Sequence, residues 1–278
     1  MCRLYGFRAS EPTKVECTLV HAQNALMVQS EADLSGKSHA NGWGLATFEN
    51  GAMHIERQAW AAYHGEHFRR AAARIYSQQV LAHVRRATVG KPTLANTHPF
   101  VDGGWALIHN GTIPHFDQVR PLLLDRLPEH RRAAVGGDTD SEHILQLLRT
   151  LQESQPSRPL AEVLAELMTM VIGWTRSIDR NARPGLNLLV TNGLEMAGTR
   201  LNRPLHFVAR RGVHDCEICG FPHIHHSERH RYRALVVASE RISHEKWQEV
   251  PNGSVYRVNR DFRLEDRPLA EIAGTALP

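Results

Sequence analysis

The stretch MCRLYGF (residues 1–7) places a cysteine directly behind a methionine and follows it with a short apolar run, 3–7, that reads as a strand. A thiol at that position admits two readings. It is a small hydrophobe at the start of a buried strand, or it is a nucleophile that also owns the α-amino group of the chain once Met1 is removed. The rest of the sequence decides between them.

At 278 residues the chain is long enough to bury a substantial core without disulfide staples. Hydrophobic residues at 42% and charged residues at 22% exclude disordered and fibrous classes. A net charge of +4, without a Lys/Arg block or an aromatic-interleaved basic stripe, argues against nucleic acid as a partner. No apolar run is long enough for a membrane span and the amino terminus has no leader pattern, so a cytosolic protein is expected. The four cysteines, Cys2, Cys17, Cys216 and Cys219, do not make a disulfide framework and point to thiol or metal chemistry.

Short apolar or alternating runs bounded by Gly, Asn or Pro predict strands at 3–7, 44–48, 53–57, 80–84, 105–109, 186–190, 196–199, 234–238 and 254–258. Asn192-Gly193 between two of them reads as a hairpin turn. Helical spacing covers 66–77, 141–152 and 160–174, with SQPSRP (154–159) as a connector. Thr139 and Glu142 have the spacing of a capping box at the start of the second helix. Strands at both ends with helices between indicate an α+β class.

Five stretches gather polar groups where a strand end or turn exposes them: Cys2, HANGWG (39–44), HVRRATVGKPTLANTHPF (83–100), HNGTI (109–113) and GGDTDSE (136–142). Singly each has an ordinary explanation: a small hydrophobe, a solvated arginine pair, a hairpin turn, a helix cap. In this order and spacing they resemble the glutaminase domain of the class II glutamine amidotransferases, the N-terminal-nucleophile amidohydrolases. VVASERIS (236–243) and EVPNGSVYRV (249–258) look like the closing strands of that family. The resemblance implies a four-layer αββα sandwich formed by one domain over 2–278.

It also implies a mechanism. An amide is a poor electrophile and a neutral thiol a modest nucleophile, so cleavage needs a thiolate, a base and an oxyanion site. The family pattern makes Cys2 the nucleophile, with its own α-amine, of ordinary pKa about 8, as the base. Asn110 and Gly111 become the oxyanion hole. Arg85 becomes the clamp for a substrate α-carboxylate, suited to it by the guanidinium fork, and Asp140 the acceptor for the α-ammonium. Thr88 and His98 match supporting positions near the carboxylate, and Gly42-Trp43-Gly44 matches a pocket wall. No cofactor is implied for catalysis.

The large biosynthetic relatives usually have an aromatic residue after the arginine and histidine or threonine after the threonine. Here Arg86 and Val89 stand there, which leaves recognition of the glutamyl half intact and changes the path toward the leaving group. No segment large enough for a synthase follows, so a stand-alone amidohydrolase is expected, or an ammonia-supplying subunit that docks on a separate synthase. The MCR and RRATVG signatures look most similar to short relatives that hydrolyse γ-glutamyl amides in glutathione degradation or the ergothioneine pathway. A third reading keeps the fold as a non-catalytic, zinc-stabilised binding protein, and it fails if Cys2, Arg85, Asn110 and Asp140 meet in one place.

A second cluster, HDCEICGFPHIHHSERH (214–230), lies outside the resemblance. Cys216 and Cys219 have knuckle spacing, and the expected ligand set for a structural zinc is Cys216, Cys219, His223 and His225, with His214 able to replace either histidine. Its ordinary alternative is a polar loop with an accidental CxxC.

Overall fold

The first strand shows how the layers arise. In β1 (Arg3–Lys14) successive side chains point to opposite faces. Tyr5, Phe7 and Ala9 enter one apolar cluster, while Leu4 enters another. Both faces of the strand are therefore covered, and a one-residue slip would exchange its two core faces. The computed structural model describes residues 2–49, 51–224 and 231–273.

Among these, β1 is followed by a π-helical turn (Cys17–His21), α1 (Leu26–Glu31), β2 (Trp43–Glu49), β3 (Ala52–Gln58), α2 (His67–Arg74) and β4 (Tyr76–Val84). Next come β5 (Phe100–Asp102), β6 (Trp105–Thr112), α3 (Phe116–Leu124), α4 (Glu129–Ala133), α5 (Asp140–Ser154) and α6 (Leu160–Ile178). The chain closes with β7 (Gly185–Thr191), β8 (Met196–Arg200), β9 (His206–Arg211), β10 (Arg233–Ala238), β11 (Gln248–Glu249), β12 (Ser254–Val258), β13 (Leu264–Pro268) and α7 (Leu269–Ala273).

The strands form a seven-stranded sheet in the order β11-β9-β10-β1-β4-β2-β3 and a six-stranded sheet in the order β13-β12-β8-β7-β6-β5. Leu4, Leu81, Ala106, Ile108, Leu189, Leu235, Val237 and Tyr256 fill the space between the two sheets. Leu19, Leu26 and Phe68 from the early helical segments cover the outer face of the first sheet. Leu145, Leu148, Leu164 and Met168 of α5 and α6 cover the second. The result is the expected αββα sandwich, and no helix among the described residues is long and apolar enough to cross a membrane.

Local corrections have physical causes. The helix expected over 66–77 stops at Arg74, because Tyr76 and Ser77 pair with Lys14 and Thr13 of β1. The strands β5, β9, β11 and β13, together with α3, α4 and the short helical segments near either end, carry no clear periodic signal, and the longer of these strands are strongly polar. The hairpin at Asn192-Gly193 forms, with Gly193 at φ 85° and the Asn192 side chain accepting from the N–H groups of Leu194 and Glu195. Half of the capping box forms: Thr139 accepts from the Glu142 N–H. The Glu142 carboxylate instead accepts from the backbone N–H groups of Gly136 and Gly137, at 3.0 and 2.7 Å.

Candidate active site

The site lies where the start of β1 meets β6. Leu4 pairs with His83 of β4, and the Ala106 and Ile108 side chains of β6 share the cavity between sheets with Leu4. Asn110 continues that face of β6 by the period of two. Its Nδ2 donates to Ser239 Oγ at 2.9 Å. The same hydroxyl accepts from the Leu4 N–H at 3.0 Å, and the Ser239 N–H donates to the Leu4 carbonyl at 3.1 Å. One serine thus couples the proposed oxyanion residue to the strand that carries Cys2.

Cys2 is buried, at 8% exposure, and its thiol donates to the Arg86 carbonyl at 3.5 Å. Burial pushes the thiol up from its ordinary value; the Arg85 guanidinium opposes this and the Asp140 carboxylate adds to it. The thiol thus lies against the backbone next to Arg85, and the charges of Arg85 and Asp140 both act on it. A thiol held neutral at rest needs a base to become a thiolate.

Arg85 spends part of its fork on the chain itself. Nη1 donates to the Lys91 carbonyl and Nη2 to those of Val89 and Gly90, which folds the 86–91 loop around it. Of the five N–H groups of a guanidinium, these bonds leave the Nε–H and one Nη1–H. HANGWG completes this frame: the Asn41 N–H donates to the Arg85 carbonyl, the Arg85 N–H to the Gly42 carbonyl, and the Ala87 N–H to Asn41 Oδ1. Trp43 does not form a pocket wall. It is fully buried in the outer core, edge-on to Phe68 at 5.2 Å.

Asp140 opens α5, with Oδ2 accepting from the Ile113 N–H at 2.8 Å. The Ser141 hydroxyl donates to Asp140 Oδ1 at 3.1 Å and lies 2.9 Å from His109 Nδ1. Thr88 and Thr112 hydroxyls are 3.1 Å apart at the exposed mouth. His98 packs between His83, tilted with ring centres 4.0 Å apart, and Phe100, edge-on at 4.6 Å. Among the described residues, neither His98 ring nitrogen nor Asn110 Oδ1 has a hydrogen-bond partner. Gly111 is required where it stands, since a Cβ there would lie 1.9 Å from the Gly185 carbonyl oxygen.

Comparison with known proteins matches residues 1–265 to glutamine amidotransferases class-II. The chain belongs to the class II glutamine amidotransferases. A probable glutamine amidotransferase of Saccharomyces cerevisiae is 23% identical over 95% of this chain and 83% of its own length. A gamma-glutamyl-hercynylcysteine sulfoxide hydrolase of Mycobacterium tuberculosis is 34% identical over 41% of this chain and half of its own length. Among solved structures, a glutamine aminotransferase class-II domain protein from Silicibacter pomeroyi superposes with a TM-score of 0.63 at 16% identity, covering 96% of this chain and 99% of that one. The glutamine phosphoribosylpyrophosphate amidotransferase of B. subtilis gives a TM-score of 0.60 at 15% identity, covering 96% of this chain and 49% of that one. These likenesses carry the fold, the four-layer sandwich of N-terminal-nucleophile amidotransferases.

Within this class II domain, sequence reading did not identify the residues that hold the others. Arg3 donates through Nη1 to the Cys2 carbonyl at 3.0 Å and reaches Glu240 and Asp33 with its other nitrogens. Asp33 also bonds His39 at 3.0 Å. Asn96 ties the Lys91 carbonyl to the Asp138 N–H, joining the Arg85 loop to the Asp140 turn. Their only signal was membership in quoted segments or proximity to them, and Asp33 had none. In the second cluster, Cys216, Cys219 and His223 come together and Cys17 joins them. His214 bonds the Arg211 carbonyl instead, and His225 lies outside the described residues.

Proposed function

We propose that the protein is an amidohydrolase that cleaves a γ-glutamyl amide through a thioester on Cys2 and releases glutamate. The observation that carries this reading is the Cys2 thiol held on the Arg86 carbonyl next to Arg85, with the Asn110 amide braced through Ser239 to the strand that follows Cys2 and Asp140 bonded to the Ile113 N–H just past Gly111. Removal of Met1 frees the Cys2 α-amine, which takes the thiol proton as the sulfur attacks the δ-carbonyl. The developing oxyanion is met by the Asn110 Nδ2–H not given to Ser239 and by the Gly111 N–H. The amine then protonates the departing nitrogen, and water resolves the thioester to glutamate.

Substrate recognition follows charge. The guanidinium charge of Arg85, with its Nε–H free of the bonds to the 89–91 carbonyls, suits an α-carboxylate, and the remaining lone pairs of Asp140 suit an α-ammonium. The hydrolase relative from Mycobacterium tuberculosis supports a γ-glutamyl compound in place of free glutamine. All of this chemistry is carried by side chains and the amino terminus of the chain itself.

Glutamate release from glutamine and a panel of γ-glutamyl amides tests the reading, with Cys2→Ala as the inactive control. Retention of Met1 on the purified protein, seen by intact mass, rules the mechanism out. A second reading, an ammonia-supplying subunit for a separate synthase, draws on the B. subtilis relative, in which the matched region is about half of the chain. Strong turnover by the isolated chain counts against it.

A further inference from the structure

Cys17 sits just past the far end of β1 from Cys2, buried at 6% exposure, in a π-helical turn with no role in the chemistry above. Across from it, residues 212–224 leave β9 without forming a helix or strand. Of residues 213–224 only Ile224 is buried. Fixing that much backbone costs roughly 1–2 kcal/mol per residue, and Ile224 with the partly buried Val213 does not offset it.

The ligand atoms of Cys17, Cys216, Cys219 and His223 all lie within 4.8 Å of one another. Tetrahedral zinc with bonds of about 2.3 Å to sulfur and 2.0 Å to nitrogen spaces its ligands about 3.5 to 3.8 Å apart. Cys219 Sγ and His223 Nε2 are 3.4 Å apart. The turn that presents two of the thiols is preformed for a metal. The Ile218 N–H donates to Cys216 Sγ at 3.4 Å, the Gly220 N–H donates to the Cys216 carbonyl at 2.8 Å, and Gly220 takes φ 73° to reverse the chain. A backbone N–H on a ligating sulfur is the kind of outer bond that orients a thiolate toward a metal. The Lys14 N–H donates to the His223 carbonyl at 2.9 Å, which docks the loop beside Cys17.

We propose that Cys17, Cys216, Cys219 and His223 form a closed, tetrahedral Cys3His site for one zinc ion that clamps the 212–224 loop to the end of β1. Cys17 takes the place that the local spacing gave to His225. Four protein ligands leave no position for water, so the site is structural. Binding deprotonates the three thiols and releases the protons to solvent, with no change in oxidation state.

The test is elemental analysis of the full chain, expressed with zinc in the medium and purified under reducing conditions. One zinc per chain is expected; Cys17→Ser and Cys219→Ser lose it, and His225→Ala and His214→Ala keep it. Cobalt exchanged into the wild-type protein is expected to give thiolate charge-transfer absorption of a tetrahedral three-sulfur site, a readout that needs no variant to fold. Zinc-free protein that takes up neither Zn2+ nor Co2+ after reduction overturns the proposal. So does zinc that survives Cys17→Ser and is lost with His225→Ala, or a disulfide among the three cysteines in the protein as purified under those reducing conditions.

Discussion

At the scale of single residues, Ser239 has the largest consequence for its size. Its hydroxyl accepts from two buried donors, the Leu4 N–H and Asn110 Nδ2. Ser239→Ala leaves both without that acceptor, and one unsatisfied buried donor costs about 1–3 kcal/mol. Because the proposed role of the Asn110 amide is toward charge that exists only in the transition state, kcat is expected to fall roughly tenfold or more while KM changes little. Ser239→Thr, which keeps the hydroxyl, is expected to recover much of the loss. Removing the donor itself with Asn110→Ala costs more, on the order of 10²–10³ in kcat. Steady-state glutamate release measures all three, and an unchanged kcat in Ser239→Ala removes Ser239 from the site's support. Arg3 works by the same logic from the other side, since it holds the Cys2 carbonyl while its charge is balanced by Asp33 and Glu240.

At the scale of elements, the start of α5 is where packing meets the proposed recognition of substrate. Thr139 caps the helix, Asp140 turns back to the Ile113 N–H, and Glu142 holds the Gly136 and Gly137 N–H groups. Thr139→Ala is expected to cost about 0.5–2 kcal/mol, as lost N-caps do. Glu142→Ala releases the turn before Asp140 and is expected to raise KM for a γ-glutamyl substrate more than it lowers kcat; urea midpoints and KM/kcat pairs separate the two effects. The sequence carried Thr139 and Glu142 as a box but not the second half of their wiring, because a carboxylate chooses among nearby donors only once the chain has turned. The same limit explains the wider pattern. β4, β6, β7, β10 and β12 were legible because both faces are covered and their apolar runs are dense. β9 and β13 were not, since HFVARR and LEDRP gain their strand character from pairing with β10 and β12. In the site, Cys2, Arg85, Asn110 and Asp140 were legible as residue types in familiar order. Arg3, Asn96 and Ser239 were not, because their partners are supplied by distant segments, and Cys17 meets its cluster only when the loop after β9 folds onto the first strand.

At the scale of the whole molecule, the sandwich encloses imidazoles that it must keep neutral. Burial pushes His83 down to about 3, although its Nε2 donates to the His109 carbonyl and so gives some relief. Burial likewise pushes His39 down to about 4 against the pull of Asp33, and His98 well below its ordinary value. In the unfolded chain each returns to an ordinary pKa near 6.5. Between the folded and unfolded values the unfolded state binds more protons, so stability rises with pH there and is lost as pH falls below about 6.5. At pH 5 the limiting cost is about 2 kcal/mol for each fully enclosed imidazole, since 1.5 pH units at 1.36 kcal/mol each are forfeited. Asp33 adds a second, lower window: against burial, the Lys37 N–H, the Ser35 hydroxyl, His39 and Arg3 hold its carboxylate below the usual range, so its contribution disappears as the pH falls below about 4. The urea midpoint is therefore expected to be flat from pH 8 to 7, to drop steeply from 6.5 to 5, and to drop less in His83→Gln if that variant folds. Activity also falls in acid, because protonation removes the α-amine proposed as the base. The two losses are distinguishable: inhibition of the base reverses at once on return to pH 7.5 and leaves the midpoint untouched, whereas protonation of the enclosed histidines moves the midpoint itself. A midpoint that holds between pH 7 and 5 would mean that these buried imidazoles take up protons without disturbing the fold.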